Sequence, residues 1–495
     1  MLALLVAAGC QNLTTIVFVP GPGEPPTTNT DPSISGDGRL VAFAGARAGH
    51  SPGQDIYVQD RQSGATTRVS VSASGGDASA ESQSPFISSD GRYVAFSSAA
   101  GNLVAGDGNG RFDVFVRDLQ TGTTTRASVD TGGGDANADS HAAGISADGR
   151  YVLFYSVASD LVAGDGNGVA DVFVRDRQTG TTSRVSVDTG GGDANAASFP
   201  GGISGDGRFV VFGSTASDLV AGDGNGFSDV FVRDRQTGTT SRVNVDTSGG
   251  DANDGAAPGG VSDDGRYVTF ASAASDLVAG DGNGLFDVFV RDRQAGTTTR
   301  VSVDRSGGDP NGVSSEPRIS ADGRQVAYVS EATDLVPLDK HTRRGVFLTD
   351  RVSGATTKVS PDDGDSLLAA LSGDGAHVAF VHQRVGGQDV AVADVVTPAV
   401  DSVVPASVAR GTSATLTITG SDFSAGEQVA ANVFSPIGVT VTGVDVISGT
   451  ELEVSVTVAG DAPTGDRNLL VWNPGTTPGS TATGFGFCGA CLTIT

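Results

Sequence analysis

The chain has 495 residues, room for about three domains of ordinary size. Its 57 acidic residues outnumber 31 basic ones, a formal charge of −26 that excludes a nucleic-acid binder, which needs a basic face to displace counterions from phosphates. The 72 glycines are about twice the usual share, lysine occurs only at Lys340 and Lys358, and no apolar run reaches the roughly 18 residues of a membrane-spanning helix, so composition predicts an acidic, mostly β protein.

In chain order, the first feature is the short apolar stretch Met1–Gly9, ending Ala7-Ala8-Gly9-Cys10. Small residues ahead of a lone early cysteine resemble the lipobox of a bacterial lipoprotein signal. The resemblance implies cleavage before Cys10, lipidation of that residue, and a protein exported and anchored in the cell envelope, at the outer membrane or cell surface. An ordinary cleaved signal peptide would leave it periplasmic or secreted instead. Residues 1–10 are read as the signal and 11–30 as a tether.

The organising feature is a repeat. Asp-Gly-Arg begins at Asp37, Asp90, Asp148, Asp206, Asp264 and Asp322, with a seventh copy, Asp374-Gly375-Ala376, at intervals of 53, 58, 58, 58, 58 and 52 residues. In the third copy, Gly144-Ile145-Ser146 ends a first strand. Asp148-Gly149 signals a type I′ hairpin, and Tyr151–Tyr155 reads as a strand buried on both faces. A polar loop, Ser159–Ala170, leads to Asp171–Asp176, and Gln178-Thr179-Gly180 turns into a fourth strand, Thr181–Val187. Four antiparallel strands at this spacing make a propeller blade. The predicted fold is all-β: a seven-bladed β-propeller of four-stranded blades over residues 31–397, plus a C-terminal immunoglobulin-like β-sandwich over 398–495. Ile-Ser-x-Asp-Gly-Arg-Tyr-Val-Ala-Phe followed by Asp-Val-Phe-Val-Arg-Asp resembles the WD-like propeller repeat of the TolB type. That family spans envelope scaffolds, protease gating domains and lyases, so the resemblance implies fold more than function.

Closure is legible too. The seventh copy shows three strands, whereas upstream of the first lies an orphan, Thr14-Thr15-Ile16-Val17-Phe18-Val19, that aligns with Thr66-Thr67-Arg68-Val69-Ser70-Val71. Thr14–Val19 is therefore predicted to be the outer strand of blade seven, removing a seam of open strand edges. Beyond the repeats, Val403-Val404-Pro405, Gly411 and Leu416–Phe423 resemble the opening of IPT/TIG immunoglobulin-like domains, which implies a spacer or adhesion module. Cys488-Gly-Ala-Cys491 has no second cysteine pair to complete a zinc site, and is predicted to be a structural disulfide.

Candidate chemistry falls on the long loops, which share one end of the blades. Copies two to five repeat Gly-Asp-Gly-Asn-Gly-x-x-Asp: Asp107/Asn109/Asp113, Asp165/Asn167/Asp171, Asp223/Asn225/Asp229 and Asp281/Asn283/Asp287. Five residues upstream of the first Asp lies Asn102, Asp160, Asp218 or Asp276. Alternating oxygen side chains on a glycine-rich chain suit Ca²⁺; the same dipeptides also form turns without metal. Copies six, seven and one carry cations there instead: Lys340, His341, Arg343 and Arg344; His382 and Arg384; Arg47 and His50. This basic notch suits a carboxylate or phosphate. The Arg of Asp-Gly-Arg and the Asp ending Val-Arg-Asp, such as Arg92 and Asp118, are predicted to pair at the opposite end. Gly49-His50-Ser51-Pro52-Gly53 has the Gly-x-Ser-x-Gly spacing but no helical pattern after it to build a nucleophile elbow, and His-Glu-x-x-His does not occur. The chain reads as a monomeric, non-enzymatic envelope scaffold that binds a protein or glycan partner through its Asp-rich loop face. The alternative is a metal-dependent polysaccharide lyase or glycan hydrolase of propeller type using His50, His341, His382 and Arg343.

Overall fold

The computed structural model describes residues 13–17, 28–46, 53–336, 339, 343–384, 387–395, 399–421, 430–434, 438–448, 450–473 and 483–495. Cys10, Arg47, His50, Lys340 and His341 lie outside the described residues. The chain divides into two compact units, the larger comprising Leu13–Thr356 with Ser360–Ala393, the smaller mainly Asp394–Thr495.

Each repeat in the larger unit folds as a module of short antiparallel strands in chain order. Module three has Ser140–Ile145, Tyr151–Ser156, Asp171–Asp176 and Thr181–Arg184. The second and third strands are buried on both faces, as their unbroken apolar runs require; Phe154 stands opposite Phe173, rings 5.5 Å apart. Modules two to six each form one four-stranded sheet. Module one (Thr28–Ile34, Leu40–Ala46, Gln54–Asp60, Thr66–Arg68) and module seven (Asp365–Leu371, His377–Arg384, Gly387–Asp394) are joined through one parallel pairing, Thr28 with Gln388. The N-terminal strand Leu13–Val17 pairs antiparallel with Gly387–Asp394, Ile16 opposite Ala391, and so takes the fourth position of module seven.

The Asp-Gly turn differs from the type I′ expectation. Gly149 has φ +72°, but Asp148 is not among the positive-φ residues, and Gly149 N–H bonds Ser146 O at 2.9 Å: a type I turn closed by a left-handed glycine. Asp148 is held in this conformation because its Oδ1 accepts from Ser146 Oγ (2.8 Å) and Arg150 N–H (2.9 Å).

That glycine also joins modules. A Cβ at Gly207 would lie 2.1 Å from Tyr151 Cδ2 of the preceding module. The same approach recurs for Gly91 on Leu40, Gly149 on Tyr93, Gly265 on Phe209, Gly323 on Tyr267 and Gly375 on Gln325, and returns to the start with Gly38 on His377. A guanidinium from the following module covers the ring: Arg177 over Tyr93 at 4.4 Å, Arg235 over Tyr151 at 4.6 Å, Arg351 over Tyr267 at 4.0 Å. Across the join, Arg61 Nη1 lies 3.4 Å from His377 Nδ1. Backbone bonds follow the same circuit, from Gly36 N–H to Ser89 O, Ala147 N–H to Gly205 O, Ala321 N–H to Gly373 O, and Asp374 N–H back to Gly36 O. The core is likewise shared between neighbours: Leu153, Val172 and Val174 pack with Val210, Phe212 and Phe231.

The smaller unit has two four-stranded sheets. One orders Ala399–Val404, Ser413–Ser421, Glu451–Val458 and Val439–Ser448; the other orders Ser407–Val408, Thr483–Ile494, Gly465–Asn473 and Ala430–Phe434. The alternation in Glu451–Val458 buries Leu452, Val454, Val456 and Val458 against Leu416, Ile418, Leu492 and Ile494. Cys488 and Cys491 lie within Thr483–Ile494 at a register irregularity, their side chains outside the described residues.

Candidate functional site

In every module the third strand starts, and the fourth ends, at the end that carries the long loops. This brings the Asp-rich loop, the Asp that opens the third strand and the linker to the next module around one side chain, the arginine closing the Thr-Thr-x-Arg strand. In module two, Arg126 Nη1 lies 3.4 Å from Asp107, 3.5 Å from Asp113 and 2.5 Å from Asp135. Arg184 meets Asp165 at 3.3 Å, Asp171 at 3.5 Å and Asp193 at 2.5 Å. Arg242 meets Asp223 at 3.5 Å, Asp229 at 3.3 Å and Asp251. Arg300 meets Asp281 at 3.1 Å, Asp287 at 3.4 Å and Asp309 at 2.6 Å. These guanidiniums are almost entirely buried. Module one keeps a reduced version, Arg68 between Asp55 (3.7 Å) and Asp77 (2.5 Å).

The oxygens proposed as Ca²⁺ ligands are thus turned on protein donors. Asp113 Oδ1 accepts from Ser128 Oγ at 2.6 Å, and Ser128 Oγ in turn accepts Val114 N–H at 2.9 Å. Asn109 donates to Asp113 Oδ2 (3.0 Å) and Ala136 O (3.2 Å), while its Oδ1 accepts Arg111 N–H (2.9 Å). Asn167, Asn225 and Asn283 repeat the bond to Asp171, Asp229 and Asp287. Asp160, Asp218 and Asp276 accept the backbone N–H of Asn137, Asn195 and Asn253 at 3.1–3.2 Å. Among the described residues no group of three or more His, Cys, Asp or Glu is arranged around a metal position. The Arg126 guanidinium thus lies among carboxylates of the loop pattern offered for Ca²⁺.

Three carboxylates around one guanidinium leave an excess of negative charge. Burial, reinforced by the neighbouring Asp113, pushes Asp107 up to about 6 against the opposing pull of Arg126. Asp165 and Asp223 reach about 6 for the same reasons, as does Asp287 through burial and Asp281. The opposite end behaves conversely. Arg92, Arg150, Arg208, Arg266 and Arg324 each hold the facing Asp118, Asp176, Asp234, Asp292 or Asp350 at 2.7 Å. Asp118 is kept well below the ordinary carboxylate range by Arg92.

Of the cationic positions, Arg343, Arg344 and His382 have described side chains. Arg343 is exposed, and Arg344 donates its backbone N–H to Asp365 (2.8 Å) and its Nε to Glu331 (3.3 Å). His382 is buried, Nδ1 3.1 Å from Ser366 Oγ and Nε2 3.0 Å from Asp363 Oδ1. It occupies the place of a serine that elsewhere bonds a partner serine, as Ser156 does with Ser140. Arg384 lies in the second strand of module seven, its side chain outside the described residues. Sequence reasoning missed the arginines at 126, 184, 242 and 300. Their signal was the Thr-Thr-x-Arg motif, which recurs at the 58-residue period together with the acidic loop.

Residues 397–474 match the family described as quinohemoprotein amine dehydrogenase, alpha subunit domain III. Among curated proteins none matches the sequence. Solved structures similar to the chain include oligogalacturonate lyase from Vibrio parahaemolyticus, at 12% identity and TM-score 0.49, covering 79% of this chain and 96% of that one. TolB from Acinetobacter baumannii is similar at 14% identity and TM-score 0.36, covering 72% of this chain and 81% of its own.

Proposed function

We propose that the chain is a non-enzymatic binding scaffold of the cell envelope: a seven-bladed β-propeller of the TolB type followed by an immunoglobulin-like spacer, offering its loop end to a protein or glycan partner. The observation that carries this reading is the fourfold recurrence of one internally paired cluster, Arg126, Arg184, Arg242 and Arg300 each among three carboxylates. Catalysis needs a unique constellation of nucleophile, base and orienting group; in modules two to five the arginine–carboxylate groups at the loop end are copied from module to module and committed to one another. The circuit of glycine contacts between successive modules that returns from Gly38 to His377 supports seven blades. Cys10 is the proposed lipid attachment. Leu13 stands opposite Ala393, at the turn end of module seven, so a lipid three residues upstream would direct the loop end away from the membrane.

Incubation with polygalacturonate tests the reading. A scaffold leaves the polymer intact, whereas release of unsaturated oligosaccharide would establish the lyase alternative. Fatty-acid labelling that disappears in Cys10→Ala tests the anchor.

A further inference from the structure

The modules are close to copies of one another, so a residue class confined to a few neighbours marks something that the architecture does not require. At the loop end of modules two to four, four rings run in contact. Phe112 lies 5.3 Å from His141 and His141 5.1 Å from Tyr155, both with tilted or stacked planes; Phe199 meets Tyr155 edge-on at 5.8 Å. Phe112 directly precedes the third strand of module two, His141 and Phe199 are the second residues of the first strands of modules three and four, and Tyr155 is the register partner of His141. At the position of Tyr155 modules two, four, five and six have Ser97, Gly213, Ala271 and Val329. Modules five and six place Ala257 and Ser315 where His141 and Phe199 stand.

The row opens to solvent at Phe199, while Phe112, His141 and Tyr155 are half-buried. Phe199 is 52% exposed and Val157, two residues beyond Tyr155, 49%. Phe227 (43%) and Phe286 (38%) continue the same end into modules four and five; elsewhere among the described residues of the larger unit only Val352 is a comparably exposed large hydrophobic. Carboxylates predominate around it, Arg111 being the exposed cation beside Phe112. Each neighbouring cluster sets three carboxylates against one guanidinium, and Asp139, whose Oδ1 accepts Phe112 N–H at 3.0 Å, adjoins His141. Burial lowers the imidazole's affinity for a proton.

We propose that the row Phe112–His141–Tyr155–Phe199 is the docking site for a basic peptide segment of a partner protein. An arginine or lysine presents an apolar stem to the rings and a cation to their faces, and the surrounding carboxylates attract it. The same field opposes an acidic polysaccharide. The inference rests on the binding-scaffold reading and gives it a site and a partner chemistry.

Calorimetric titration of the full chain with hexa-arginine, and separately with cellohexaose, at physiological salt tests the proposal. The variants are Phe199→Gln, at a largely solvent-facing side chain, and Tyr155→Ser, which installs the residue of module two. Neither changes the net charge, so purely electrostatic association is equal in variant and wild type. Hexa-arginine should bind the wild type and bind each variant about 2- to 30-fold more weakly, the range for one lost cation–π contact, while Phe199→Tyr retains affinity. Equal affinity for Phe199→Gln and wild type, or no binding of hexa-arginine, overturns the proposal. Cellohexaose binding that these variants weaken overturns it in favour of a glycan and leaves the scaffold reading standing; cleavage of polygalacturonate would remove both.

Discussion

Arg184→Met probes the feature that sequence reading overlooked. The guanidinium is 6% exposed and serves Asp165 (5% exposed), Asp171 (0%) and Asp193. Removing it leaves two buried carboxylates without a counter-ion, a loss of about 3–5 kcal/mol for a broken buried pair. Arg150→Met, at a solvent-facing side chain paired with Asp176 at the turn end, should lose far less. Urea midpoints at pH 7 compare the two directly. The Arg184→Met deficit should shrink on acidification, because Asp165, already pushed up to about 6 beside the guanidinium, takes up a proton more readily without it. Millimolar Ca²⁺ should then raise the variant's midpoint by filling the vacated centre, and leave the wild type unchanged. Equal losses for the two arginines, or a wild-type midpoint that Ca²⁺ raises as much as the variant's, would refute the arginine-centred account.

Other expectations follow from the same geometry. Asp107, Asp165, Asp223 and Asp287 bind a proton more tightly folded than unfolded, so their contribution to stability grows as pH falls from about 7 to 5. The turn-end carboxylates such as Asp118 and Asp176 are depressed instead, and their contribution is complete above the ordinary carboxylate pKa and lost below about pH 4. Urea midpoints should therefore peak between about pH 4 and 5, and a maximum at pH 7 or above would contradict the shifts. Gly207→Ala combines φ +72° with a Cβ 2.1 Å from Tyr151 and should lose about 2–4 kcal/mol; Gly222→Ala, at φ +80° with nothing within 4 Å, about 1 kcal/mol in the same denaturation assay. His382→Ser restores the serine pair found in other modules and should shift the midpoint by less than about 1 kcal/mol.

The repeats, strand order and buried Phe positions were legible because period and apolar runs depend on local sequence alone. Arg92–Asp118 pairing was legible for the same reason: both residues flank turns fixed by the motif. The type I turn at Asp148 was not, because the side-chain bonds that hold Asp148 in place are invisible in the dipeptide Asp-Gly. The role of the Asp-rich loop depended on what stood at its centre. Arg126 lies 13 residues beyond Asp113 and closes the strand that follows the next turn, so only the folded sheet sets the two side by side. His382 shows the same limit: its bonds to Ser366 and Asp363 depend on a register that the sequence alone does not display. The aromatic row crosses three modules and has no signature in any one of them.

Closure of the modules into a cycle underlies the sidedness of every site described. Its most direct measurement is oxidative cross-linking of the double variant Ile16→Cys/Ala391→Cys, at residues opposite one another where the N-terminal strand pairs with module seven. The account predicts a disulfide between positions 16 and 391 in the folded monomer, found by peptide mapping and lost when the protein is oxidised in urea. Linkage of position 16 to other cysteines, or none at all under conditions where the folded protein is intact, would contradict it.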